Sequence, residues 1–98
     1  MNKLYENIKR IEESNNSKII RVEFYGDIYR HYADFYLGFT LSNGDYEEVV
    51  MLEIDGKDLS NYYDEIINLY DKFSHKYCKE IKSNYNIICA VNPCCYVY

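Results

Sequence analysis

The dipeptide Asn43-Gly44 sits between two stretches that alternate apolar and polar residues, and this constrains the fold more than any other feature of the chain. Both central residues of a tight type I′ turn take positive φ, which Asn and Gly tolerate best, so the spacing predicts a β-hairpin. Upstream, Phe35, Leu37, Phe39 and Leu41 alternate with Asp34, Tyr36, Gly38 and Thr40. A two-residue loop sets Ser42 opposite Asp45, Leu41 opposite Tyr46, Phe39 opposite Glu48, Leu37 opposite Val50 and Phe35 opposite Leu52. In that register Tyr46, Val50, Leu52 and Ile54 face a core, while Tyr36, Thr40, Glu47, Val49, Met51 and Glu53 face away. Glu48 is the misfit on the core side, read as a peripheral carboxylate that reaches solvent past the end of the hairpin.

The segments around the hairpin complete an α+β pattern. Leu4, Ile8 and Ile11 predict an amphipathic helix over residues 3–14 with Asn2 as its N-cap, and Asn15, Asn16 and Ser17 break it. From residue 18 to residue 29 the period drops to two, with Ile20, Val22, Phe24 and Ile28 on one face and Arg21, Glu23, Tyr25, Asp27 and Tyr29 on the other. Gly26 is the expected bulge in this strand. After Asp55, Gly56, Lys57 and Asp58 a long helix follows, capped by Asp58 or Ser60 and striped by Leu59, Tyr63, Ile66, Tyr70, Phe73, Tyr77 and Ile81. Asp64 and Glu65 in its early turns and Lys76, Lys79 and Lys82 in its late turns complement the helix dipole. Ile87 to Val91 is apolar on both faces and predicts an interior strand, halted at Asn92-Pro93, with residues 95–98 as a short edge strand. The expected order is α-β-β-β-α-β: one domain over residues 1–98, an antiparallel sheet with two helices packed on one face, and a last strand beside the first or third.

Charge divides the chain. Residues 33–66 carry nine acids (Asp34, Asp45, Glu47, Glu48, Glu53, Asp55, Asp58, Asp64 and Glu65) against Lys57, a block of -8 within a net charge of -5. Such a balance excludes a protein that tracks nucleic acid directly through a basic groove. It suits a docking face for a basic partner, because carboxylates on alternate strand residues repeat at about 7 Å, near the spacing of phosphates. Tyr25, Tyr29, Tyr36, Val49 and Met51 on the sheet face away from the helices would supply an aromatic and Met-rich centre. The candidate partner-binding residues are therefore Tyr36, Glu47, Val49, Met51, Glu53, Asp55, Asp58, Asp64 and Glu65, and a second copy of the chain is the other occupant such a face invites.

Catalytic and metal motifs are missing from the sequence: there is no Gly-rich phosphate loop, H-E-x-x-H or G-x-S-x-G, and only four Gly in all. Neither an enzyme nor a cofactor is expected. Cys78, Cys89, Cys94 and Cys95 lack the paired spacing of a zinc module and read as free thiols, and His31 and His75 read as solvated histidines. The charged residues Lys3, Glu6, Lys9 and Arg10, with no apolar run behind them, predict a cytoplasmic chain without a secretory leader, and nothing is apolar for long enough to span a membrane.

Two resemblances follow. The order of the first five elements is similar to that of double-stranded RNA-binding domains, yet that family grips phosphate at a basic start of its second helix, where this chain has Asp58, Asp64 and Glu65. In overall character, small, acidic and rich in residues with A/T-rich codons (Tyr, Ile, Asn and Lys make 42 of 98), the chain resembles the inhibitor proteins that phages encode against host defences, the anti-CRISPR proteins among them. What that resemblance implies is a stoichiometric inhibitor in the host cytoplasm that occupies a basic, nucleic-acid-binding surface of a CRISPR-Cas effector or nuclease. The alternatives are a homo-oligomeric structural or adaptor domain and an immunity or antitoxin protein against a basic nuclease.

Overall fold

The computed structural model describes residues 3–92 and 96–97; the expected N-cap Asn2, together with Pro93, Cys94, Cys95 and Tyr98, lies outside them. Helix α1 (Lys3–Asn15) buries Leu4, Ile8 and Ile11 completely, as the spacing predicts. It ends where Asn16 takes a positive φ of 46° and the amides of Asn16 and Ser17 turn back to the carbonyls of Glu13 and Glu12. That is a Schellman cap, with Asn in the position glycine usually fills.

Strands β1 (Ile19–Ile28), β2 (Tyr32–Leu41) and β3 (Tyr46–Asp55) form an antiparallel meander. In β1 the bulge falls at Ile20 rather than Gly26: register shifts between Ile19 and Arg21, so Ile19 is buried and Ile20 is turned out to solvent. Val22, Phe24 and Ile28 point inward as expected.

The hairpin differs from the expected one by a single residue. Leu41, not Ser42, closes the loop opposite Asp45: the Leu41 amide donates to the Asp45 carbonyl at 2.9 Å and the Gly44 amide to the Leu41 carbonyl at 3.0 Å. Only Gly44 takes a positive φ, 94°, so the loop is a three-residue type I turn with a glycine bulge rather than a type I′ turn. The slip pairs Phe39 with Glu47, Gly38 with Glu48, Leu37 with Val49 and Tyr36 with Val50, until a second bulge at Met51 restores the expected pairing of Phe35 with Leu52. Because side chains alternate with period two, the slip reverses every side chain between the two irregularities. Val49 and Met51 are therefore half-buried against the core, whereas Tyr46, Glu48 and Val50 are exposed on the other face.

A 3-10 turn at Ser60–Tyr62 leads into helix α2 (Tyr63–Asn84). Neither Asp58 nor Ser60 caps α2, whose N-cap is Tyr62 without a side-chain hydrogen bond; one Asp58 oxygen instead closes a local turn, accepting from the Ser60 amide at 2.9 Å and the Ser60 hydroxyl at 2.5 Å. The buried line of α2 runs Ile66, Tyr70, Ser74, Cys78 and Ile81, with Tyr63, Phe73 and Tyr77 packed half-buried beside it. The small Ser74 and Cys78 let the helix lie close to the sheet at the centre of the predicted stripe.

Helix α2 carries the chain across the sheet, so β4 (Ile88–Val91) joins the far side of β1 in parallel, and β5 (Tyr96–Val97) also pairs β1 in parallel. The strand order is β3-β2-β1-β4, and the sheet is mixed rather than wholly antiparallel. Tyr70 anchors the β1–β4 junction: its buried hydroxyl donates to the Phe24 carbonyl at 2.8 Å, which also accepts from the Asn92 side chain at 2.8 Å. Inward-facing residues of both helices and of the strands form one hydrophobic cluster, so both helices cover the same face of this α+β sheet.

Candidate functional site

The opposite face of the sheet is covered by no helix among the described residues, and its register arranges side chains in rows across the strands. Arg21 lies beside Thr40 and Tyr46; Glu23 beside Gly38 and Glu48; Tyr25 beside Tyr36 and Val50; Asp27 beside Asp34 and Glu53; and Tyr32 beside Asp55. Six carboxylates thus share a face with one cation.

Tyrosines hold this face together. The Tyr25 and Tyr36 rings stack at 5.2 Å with 19° between planes, and Tyr29 stacks on Tyr32 at 4.5 Å. The Tyr25 hydroxyl donates to Glu23 at 2.7 Å, the Tyr36 hydroxyl is directed at Asp27, and that of Tyr46 at Glu48. Tyr46 lies across Gly38, where a side chain would collide with its ring.

The electrostatics follow from this packing. Burial, and then the charges of Asp27 and Glu48, push the Tyr36 hydroxyl well above the usual phenol range; burial and Glu48 do the same to Tyr46. These hydroxyls remain donors at every physiological pH. The Tyr25 hydrogen bond, followed by Arg21 at 3.1 Å, holds Glu23 below the ordinary carboxylate range. Asp34 shifts the other way: partial burial, with Asp27 and Glu53 on either side, raises it. Its Oδ1 is buried and has no hydrogen-bond partner.

The residues expected to bind a partner divide into three groups. Tyr36, Glu53 and Asp55 lie on the uncovered face. Glu47, Val49 and Met51 are turned to the helix side by the hairpin slip, where Glu47 accepts from Arg10 at 3.3 Å and Asn15 at 3.0 Å and the Met51 sulfur takes a contact from Asn7 at 3.9 Å. Asp58, paired with Arg30 at 3.6 Å, and Asp64 and Glu65 in the first turn of α2 belong to the end and helix side of the molecule, away from the tyrosine face. The register brings in Glu23, Tyr25, Asp27, Asp34, Tyr46, Glu48 and Val50 instead. For Tyr46, Glu48 and Val50 the signal in the sequence was the misfit of Glu48, which a loop one residue longer resolves; Glu23, Tyr25, Asp27 and Asp34 lie on this face by the alternation of β1 and β2 itself.

Elsewhere the chemistry is sparse. Cys89 lies against Cys78 between β4 and α2, and burial followed by the neighbouring thiol pushes Cys89 well above the usual thiol range. His31 contacts the Lys57 carbonyl and His75 the Asp71 carbonyl, both at the surface. Among the described residues no group of three metal-ligating side chains converges, and no helix is long and apolar enough to cross a membrane. No protein-family model, curated protein or solved structure matches the chain.

Proposed function

We propose that this chain is a non-enzymatic, protein-binding inhibitor that docks its tyrosine and carboxylate sheet face on a basic, nucleic-acid-binding surface of a host defence protein, such as a CRISPR-Cas effector. The supporting observation is the composition of that face: six carboxylates, five tyrosines and one arginine on a sheet that the chain's own helices leave uncovered. Acidic rows steer association with a positive cleft, and amphipathic rings supply contact area at low entropic cost. Preorganisation strengthens the match, since the Tyr25 hydroxyl and Arg21 together hold Glu23 in place.

The same face argues against the homo-oligomeric alternative in its simplest form, because a two-fold pairing sets six carboxylates against six. An immunity protein against a basic nuclease would use the same surface and differ only in its target.

The test is competition on a basic effector. Binding should weaken steeply with salt, be displaced by the effector's nucleic acid, and be lost in a Glu48→Lys, Glu53→Lys variant. A charge-reversed variant that inhibits as well as the parent would remove the electrostatic basis of the reading.

A further inference from the structure

The nature of the partner element can be taken further, on the basis of the docking face just proposed. The row Asp27, Asp34 and Glu53 crosses three adjacent strands, and among the described residues no Lys, Arg or His pairs with any of the three. Arg21, the one cation on the face, is spent on Glu23. Neighbouring strands are about 4.8 Å apart, so carboxylates opposite one another stand at a separation that a planar donor group spans. One row along, about 7 Å away, stand the stacked rings of Tyr25 and Tyr36. At the centre of the row, the buried Asp34 Oδ1 lacks a donor.

We infer that the partner presents an arginine-rich segment to this face, with a guanidinium laid across the Asp27, Asp34 and Glu53 row and against the Tyr36 ring. A guanidinium carries five N–H donors in one plane, bridges two carboxylates and stacks on aromatic rings. An ammonium group is a compact, strongly hydrated point charge that answers the charge of the row but neither its breadth nor the adjoining rings. A second copy of the chain, paired face to face, is disfavoured as the occupant by like charge.

Two peptides of equal length and charge, one built on arginine and one on lysine, distinguish the possibilities when titrated into the full chain by calorimetry at moderate salt. The arginine peptide should bind about fivefold or more tightly than the lysine peptide. Tyr36→Leu should bring the two affinities together, whereas Glu53→Gln should weaken both. Asp34→Asn, which keeps the shape of the side chain, should weaken the arginine peptide more than the lysine one and decides the matter should Tyr36→Leu fail to fold. Equal affinities for the two peptides would overturn the arginine assignment and leave the acidic docking face standing. Failure of both peptides to bind would overturn both.

Discussion

Tyr46 lies across the backbone of Gly38, its hydroxyl 2.1 Å from the point where a Cβ on residue 38 would stand. The absent side chain makes room for the ring, and the ring in turn covers a strand residue that has nothing of its own to pack. Gly38→Ala should displace Tyr46 from Glu48, cost about 1 kcal/mol and weaken binding of a basic partner. Tyr46→Ala should cost a similar amount, and the double variant distinctly less than the sum, because both changes break one contact. Denaturant melts of the four-membered cycle measure this; strict additivity would show that the contact does not contribute.

The hairpin loop makes a sharper prediction. In the observed turn only Gly44 needs positive φ, while the Asn43 Oδ1 accepts a hydrogen bond from the Asp45 amide at 2.9 Å. Gly44→Ala should therefore cost about 1–2 kcal/mol and Asn43→Ala under about 1 kcal/mol. Equal penalties would point to a type I′ turn, in which both positions are left-handed.

At the β1–β4 junction, Tyr70 and Asn92 both donate to the Phe24 carbonyl. Tyr70→Phe alone should cost about 1 kcal/mol, a fall in Tm of about 4–8 °C for a domain of this size. Tyr70→Phe combined with Asn92→Ala should cost more than the two single changes added, since it removes both side-chain donors from the carbonyl. Thermal melts followed by circular dichroism provide the comparison.

Asp34 sets the pH response of the face. Its folded value is raised, so the native chain holds this proton more firmly than the unfolded chain does. The contribution of Asp34 to stability thus increases as pH falls through that raised value and is lost as pH rises through it. Glu23 and Asp58 are lowered and act in the opposite sense, losing their contribution as pH falls below their unfolded values. Asp34→Asn should accordingly stabilise the protein at neutral pH by up to about 1 kcal/mol, by removing like charges directly opposite one another, and flatten the profile between mildly acidic and neutral pH. A parent and variant with parallel pH profiles would contradict this.

Much of the architecture was legible because it depends on periodicity. The stripe from Tyr63 to Ile81 marks α2, although Leu59, its expected first member, precedes the helix, and the alternation around Phe24 and Phe35 marks β1 and β2. The burial of Ser74 and Cys78 was not legible, since small residues carry little apolar signal between Tyr70 and Ile81. Neither was the parallel pairing of β4, which depends on where α2 delivers the chain and not on any residue within 88–91. The site was only partly legible for a single reason: a loop of two residues and a loop of three differ by one amide, yet that amide exchanges the faces of Val49 and Glu48. Only Tyr36, Glu53 and Asp55 of the expected set remain on the uncovered face.

The glycine bulge at Gly44 and the bulge at Met51 bracket the segment whose register differs by one residue from that of a two-residue loop, so two threadings against β2 can be compared. One threading seals Tyr46, Glu48 and Val50 under the helices; the other, which the protein adopts, seals Val49 and leaves Glu47 to Arg10 and Asn15. Apolar content hardly separates them, and the carboxylate of Glu48, expensive to bury without a partner, tips the choice. On this argument Glu48 would act as a key that lets the hairpin close in one threading, so that the charge offered to a partner would also select the face the partner finds.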